Sequence, residues 1–154
     1  WQAIFDGDID TVATDHVHRD ISSKDGGIWK ASPGCPGMET MLPVMLTEGF
    51  HKRGLPLERI VEVLAETPAR LMGMSDRKGS IVPGLDADLV VVDLNSEWDL
   101  SRENVVSSAN YSIYEGRRFK GIIGDTLVRG MAVVKDGKLD DSKRGAGRFL
   151  RRSL

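Results

Sequence analysis

The sequence predicts an α/β chain that turns to β structure near residue 75. Three observations carry this. Residues 9–14 form a short, β-branched, mostly apolar run that reads as a buried strand. Between residues 38 and 72 apolar side chains recur at helical spacing. Beyond Met74 the helical period stops, and glycines punctuate runs rich in valine. The change of period marks a boundary between two structural units.

In chain order, residues 1–8 read as the end of a helix, with Gly7 placed to accept the left-handed conformation of a C-cap. The strand at 9–14 runs directly into the polar cluster Asp15-His16-Val17-His18-Arg19-Asp20. In parallel α/β sheets that strand end is where active sites form. Residues 21–36 are rich in Gly, Ser and Pro and contain Lys24 and Lys30. A connection this long is usually functional or disordered. Residues 38–50 have a helical stripe at Met38, Met41, Leu42, Met45 and Leu46, which reads as core packing. Pro43 implies either a kink or a helix start near Leu42. A second helix is expected over 57–65. Thr67-Pro68 then reads as an N-cap followed by proline in the first turn, opening a short helix that ends at Met72 and is closed by Gly73. Residues 87–93 form a strong strand, 126–129 and 131–135 two short strands around Gly130, and Asp136-Gly137 a hairpin turn. The end of the chain carries Lys143, Arg144, Arg148, Arg151 and Arg152, a basic tail that is solvated or docked on a partner.

The 154 residues amount to one ordinary domain or pieces of two. Apolar residues make up 40% and charged residues 29%, as in soluble globular proteins. With 21 basic against 23 acidic residues the net charge is -2, so charge gives no reason to expect a nucleic acid or an anionic membrane as partner. No apolar run approaches the ~20 residues needed to span a bilayer. A secretory signal is not visible. The single cysteine, Cys35, rules out an intrachain disulfide and a cysteine-based zinc site, and fits a cytoplasmic location. The sequence starts at Trp1 and runs at once into helical composition, which reads as an internal start in a longer chain. Three histidines (His16, His18 and His51) are few for a self-sufficient metal enzyme.

Three constellations carry chemistry. The first is Thr14-Asp15-His16 at a strand end. A carboxylate there can ligate a metal and act as general base, and a neighbouring imidazole can orient it or touch the substrate. His16 and His18, two apart, would point the same way on a strand and could share a metal, although a solvated loop position suits His18 better. The second is the segment from Pro33 to Thr40, whose glycines and prolines fix a tight loop with backbone groups able to bind an amide-like ligand. Glu39 and Thr40 read as capping groups of the following helix, and Cys35 as a packed residue. The third is KGSIVPGLDADLVVVD (78–93). Its glycines lack phosphate-loop spacing, and Asp86 and Asp88 read as turn-capping groups.

Together and in order, DGDIDTVATDH (6–16), PGCPGMETMLP (33–43), ETPARLMGM (66–74), KGSIVPGLDADLVVVD (78–93) and GAGRFLRR (145–152) resemble the C-terminal part of the cyclic amidohydrolases. This is the hydantoinase, dihydropyrimidinase, allantoinase and dihydroorotase group of the amidohydrolase superfamily, and the ending leans toward its hydantoinase and dihydropyrimidinase branch. The resemblance implies the C-terminal portion of a TIM barrel, its last strand and following helices, plus strands of a small β-sandwich. Residues 1–74 would belong to the barrel, 75–140 to the sandwich, and 141–154 to the basic tail.

The resemblance further implies that Asp15 is the last metal ligand and the group that carries a proton to the leaving nitrogen. The cofactor would be a divalent metal, two zinc ions in the intact enzyme, with the other ligands upstream of this segment. The substrate would be a small cyclic amide, and the assembly a homo-oligomer, a dimer or tetramer. The chain departs from the group's pattern at three positions. His18 stands where proline is usual. Arg19 follows it, placed to meet an acidic group on the substrate or to pair locally. Pro33 stands where asparagine is usual and offers a carbonyl but no N–H. Pro33, Gly34, His16 and Arg19 are thus the expected substrate contacts. The isolated segment is expected to be inactive and to hold no metal tightly. The rival expectation is a non-catalytic C-terminal module for structure or oligomer contacts. Within the group, a dihydroorotase- or allantoinase-type member is the other possibility.

Overall fold

The computed structural model describes residues 1–151. Helix α1 (Gln2–Asp6) ends at Gly7, whose φ of 87° lets its N–H return to the Ala3 carbonyl, as the C-cap reading requires. The expected strand at 9–14 is not formed. Its backbone bonds helices and a side chain rather than a strand: Ile9 N–H donates to the Ala3 carbonyl, Val12 N–H to the Val63 carbonyl, and the Ile9 carbonyl accepts from Arg59, while Ile9 is exposed. Apolar pattern specifies which face a strand buries. The ladder must come from neighbouring strands, and none of the described strands pairs with this segment. Residue 16 forms an isolated parallel bridge with Cys35 instead.

Helix α2 spans residues 41–51. It starts at Met41 with Pro43 in its first turn, where a missing N–H costs nothing, and widens to i→i+5 turns over Met45–His51. The methionine stripe is core only at its far end: Met45 is buried, whereas Met38 precedes the helix and is 67% exposed. Helix α3 spans residues 57–71 without the break expected at Thr67. Wide turns over Glu62–Glu66 precede Pro68, and a widened turn moves aside the carbonyl that a proline ring would strike. Its end is a Schellman motif: Met74 N–H bonds the Ala69 carbonyl and Gly73 N–H that of Arg70, with Gly73 at φ 66°.

The strands β1 (Leu89–Asp99), β2 (Arg118–Val128), β3 (Met131–Lys135) and β4 (Lys138–Leu139) form one sheet in the order β1-β2-β3-β4. β2 and β3 are antiparallel, as are β3 and β4. Both short hairpins turn through consecutive residues of positive φ: Arg129 (50°) with Gly130 (76°), and Asp136 (49°) with Gly137 (71°). That is the type I′ geometry expected for Asp-Gly. β1 runs past the expected 87–93 to Asp99, and β2 begins at Arg118, well before the expected 126–129.

The backbone groups into two compact units. One comprises residues 1–12, 55–94 and 122 onward, and buries Leu55, Ile60, Val63 and Ala69. Gly79 packs on α3 here at φ 96°. A Cβ at that position would lie 2.8 Å from the Ala69 Cβ. Lys78 pairs with Asp86 and Asp88, and Asp88 also accepts the Arg129 N–H. The other unit, 13–54 with 95–121, buries Met45, Leu46, Leu100, Ala109, Tyr111 and Phe119. There Thr47 Oγ1 accepts the Lys120 N–H at 2.9 Å, and Glu48 binds Lys52, Arg53 and Arg117 together. Among the described residues no helix is long and apolar enough to cross a membrane.

Candidate functional site

The expected site residues Asp15, His16, Arg19, Pro33 and Gly34 fall in the second unit, on the two segments 14–19 and 32–38, whereas the third constellation, 78–93, lies in the first. The first segment bends at Asp15, whose φ of 45° places a non-glycine residue in the left-handed region. Aspartate is among the few residues that adopt it readily, at a cost of about 1 kcal/mol. Thr14 Oγ1 accepts the His16 N–H at 3.2 Å and holds the bend. The Asp15 side chain is exposed and has no hydrogen bond or ion pair among the described residues.

The second segment is fastened to the first at several points. Val17 N–H donates to the Cys35 carbonyl at 3.0 Å. The His16 imidazole accepts at Nδ1 the N–H groups of Gly37 and Met38, each at 3.2 Å. An imidazole accepting at Nδ1 carries its proton on Nε2, so these two amides select the tautomer. Gly34 lies against Val17 at φ 85°. A Cβ there would come within 2.6 Å of the valine Cγ2, so only glycine fits. Cys35 is half-buried.

Lys24, on the short turn Ile21–Lys24, reaches across to the loop. Its ammonium donates to the Ser32 carbonyl at 2.6 Å and to the Gly34 carbonyl. Arg19 is exposed and stands 3.5 Å from Ser32 Oγ, at the limit of a hydrogen bond, with no carboxylate partner among the described residues. Pro33 is exposed, and its carbonyl has no partner among the described residues. His18 stacks on His16 with ring centroids 6.4 Å apart and faces solvent. Asp15, His16, Arg19, Pro33 and Gly34 therefore lie on two segments that the backbone ties together.

Two contributions were not legible from the residues. Lys24 gives no local signal, because the carbonyls it holds are eight and ten positions away. Glu39, read as a helix cap, instead accepts the N–H groups of Val106 and Ser107 at 2.8 and 2.6 Å and anchors that loop. Beside it a small cavity is lined by Gly37, Thr40, Leu100 and Tyr111. The Tyr111 hydroxyl is buried there without a partner, and burial pushes its pKa up.

A divalent ion needs three or four protein donors. No group of three histidine, cysteine or carboxylate side chains converges among the described residues. The Asp15 carboxylate, exposed and unpartnered, fits the part of one donor.

Comparison with known proteins shows what the chain is similar to. A family model described as the amidohydrolase family matches residues 1–133. An L-hydantoinase of Paenarthrobacter aurescens is 38% identical over 155 residues, covering 99% of this chain and 34% of the relative. A D-phenylhydantoinase of Escherichia coli O1:K1 is 36% identical over 156 residues with the same coverage. Among solved structures, an L-hydantoinase (dihydropyrimidinase) from Arthrobacter aurescens matches with a TM-score of 0.86 at 38% identity, covering 90% of this chain and 32% of that one. A D-hydantoinase from Thermus sp. matches with a TM-score of 0.86 at 32% identity, covering 91% and 31%. The chain thus spans about a third of the length of these relatives. With a family match over most of its residues, the chain belongs to the amidohydrolase family and is similar to its hydantoinases.

Proposed function

We propose that this chain is the C-terminal part of an enzyme that hydrolyses the C–N bond of a cyclic amide: a hydantoin, a dihydropyrimidine or a related ureide ring. The observation that carries the reading is the unpartnered Asp15 carboxylate, held at positive φ on a segment bonded to the Pro33–Gly34 loop. The names of the similar hydantoinases support it.

In this reading residues 1–74 complete the barrel, 75–140 contribute to a β-sandwich, and the basic tail from 141 contacts another subunit of a cytoplasmic homo-oligomer, a dimer or tetramer. Arg152 of that tail lies outside the described residues. When bound, two zinc ions held mostly by upstream residues supply a water acidic enough to attack at neutral pH. Asp15 takes the proton of the attacking water and delivers it to the ring nitrogen as the C–N bond breaks. The turn matters for this role because it sets the direction in which the carboxylate leaves the backbone, and no lysine or arginine pairs with it among the described residues. His16 holds the substrate loop against the turn through its Nδ1, while Pro33, Gly34 and Arg19 stand where the ring and its substituent approach.

The test is ring opening by the complete enzyme. Incubation with hydantoin and with dihydrouracil is expected to give the corresponding carbamoyl amino acids, followed by loss of ring absorbance and by mass. Absence of ring opening with every cyclic ureide tried, in the zinc-loaded protein, contradicts the proposal.

A further inference from the structure

We infer that Lys24 is a positioning residue that presents the Pro33 carbonyl as a hydrogen-bond acceptor for a ring N–H of the substrate. The inference rests on the reading above, in which Pro33 is a substrate contact, and adds the residue that holds that contact in place. Lys24 is half-buried and pairs with no carboxylate among the described residues. Withdrawing an ammonium from water without a counter-ion is unfavourable unless strong acceptors replace the water. Its acceptors here are two backbone carbonyls of one loop, Ser32 and Gly34, which flank Pro33 on either side.

Loop 32–38 is otherwise secured by its own backbone. Ser32 N–H bonds the Ser23 carbonyl, the Cys35 carbonyl accepts from Val17, and the Gly37 and Met38 N–H groups bond His16. Proline brings no N–H to position 33. The Pro33 carbonyl is then the acceptor in the run 32–35 that this fastening leaves available, on an exposed residue. A ligand that meets this point must donate. A cyclic ureide has ring N–H donors, and N-methylation removes one without changing the ring.

The experiment measures steady-state kinetics of the complete enzyme on hydantoin and on its two mono-N-methyl derivatives, before and after Lys24→Met and Lys24→Arg. For the unaltered enzyme, methylation of one ring nitrogen is expected to raise KM about tenfold, the loss of one hydrogen bond to a carbonyl. Lys24→Met is expected to raise KM for hydantoin by a similar factor, to change kcat less than about threefold, and to abolish most of the discrimination against that methyl derivative. Lys24→Arg, which keeps a charged donor for the two carbonyls, should retain both KM and discrimination. Unchanged KM and discrimination in Lys24→Met overturn the inference, as does an equal fall in kcat for every substrate with KM untouched. Should Lys24→Met fail to fold, the unaltered enzyme still decides: equal KM for hydantoin and both methyl derivatives overturns the inference. An unaltered enzyme that opens no cyclic ureide overturns the functional reading itself, whereas one that is active but indifferent to Lys24 and to N-methylation overturns only this inference.

Discussion

Glu48 shows how a single side chain in the second unit is tied to its surroundings by charge. Hydrogen bonds from Lys52 and Arg53, with Arg117 added, hold its carboxyl at about 2 despite partial burial. A depressed carboxyl stabilises the fold fully above its unfolded value near 4.5, and that contribution disappears as the pH falls through 2. Unfolding followed by circular dichroism is therefore expected to show a loss of stability between those values that Glu48→Gln lacks; parallel acid profiles would contradict this. At the same scale, Asp15 was legible because a carboxylate followed by histidine at the end of a β-branched run is a pattern with chemical meaning. Its positive φ was not, since aspartate tolerates many conformations and nothing in the sequence singles out this one.

The loop of residues 32–38 is the element on which the site depends, and Gly34 is its tightest point. A methyl group there meets Val17 at 2.6 Å on a backbone at φ 85°, so Gly34→Ala should destabilise the protein by about 2–3 kcal/mol in chemical denaturation. A variant as stable as the parent would show that the loop does not pack on Val17. The element scale also separates what periodicity can and cannot tell. α2 and the two type I′ hairpins were legible, because Pro43, Gly130 and Asp136-Gly137 each permit few conformations. Residues 9–14 have the composition of a strand, yet pairing is a property of the neighbours and not of the segment. Thr67-Pro68 has the chemistry of a helix start, but α3 absorbs the proline by widening the turn before it, a tertiary accommodation with no local signature. Glu39 and Lys24 act across 67 and up to 10 residues respectively, beyond the reach of any local pattern.

At the scale of the whole molecule, the question is how much of a metal centre this chain carries. It has one exposed, unpartnered carboxylate at the turn of residue 15 and no convergent set of three metal donors among the described residues. Zinc analysis after exhaustive dialysis should find far less than one ion per 154-residue chain, and about two per complete enzyme. Stoichiometric zinc in the short chain would show that it assembles a metal centre of its own. The central claim concerns the proton carried by position 15, and the most direct measurement is single-turnover ring opening by the complete, zinc-loaded enzyme with Asp15→Asn. The account predicts a rate lower by a factor of about 10³ or more with the thermal unfolding profile preserved. A rate within about threefold of the parent would contradict it.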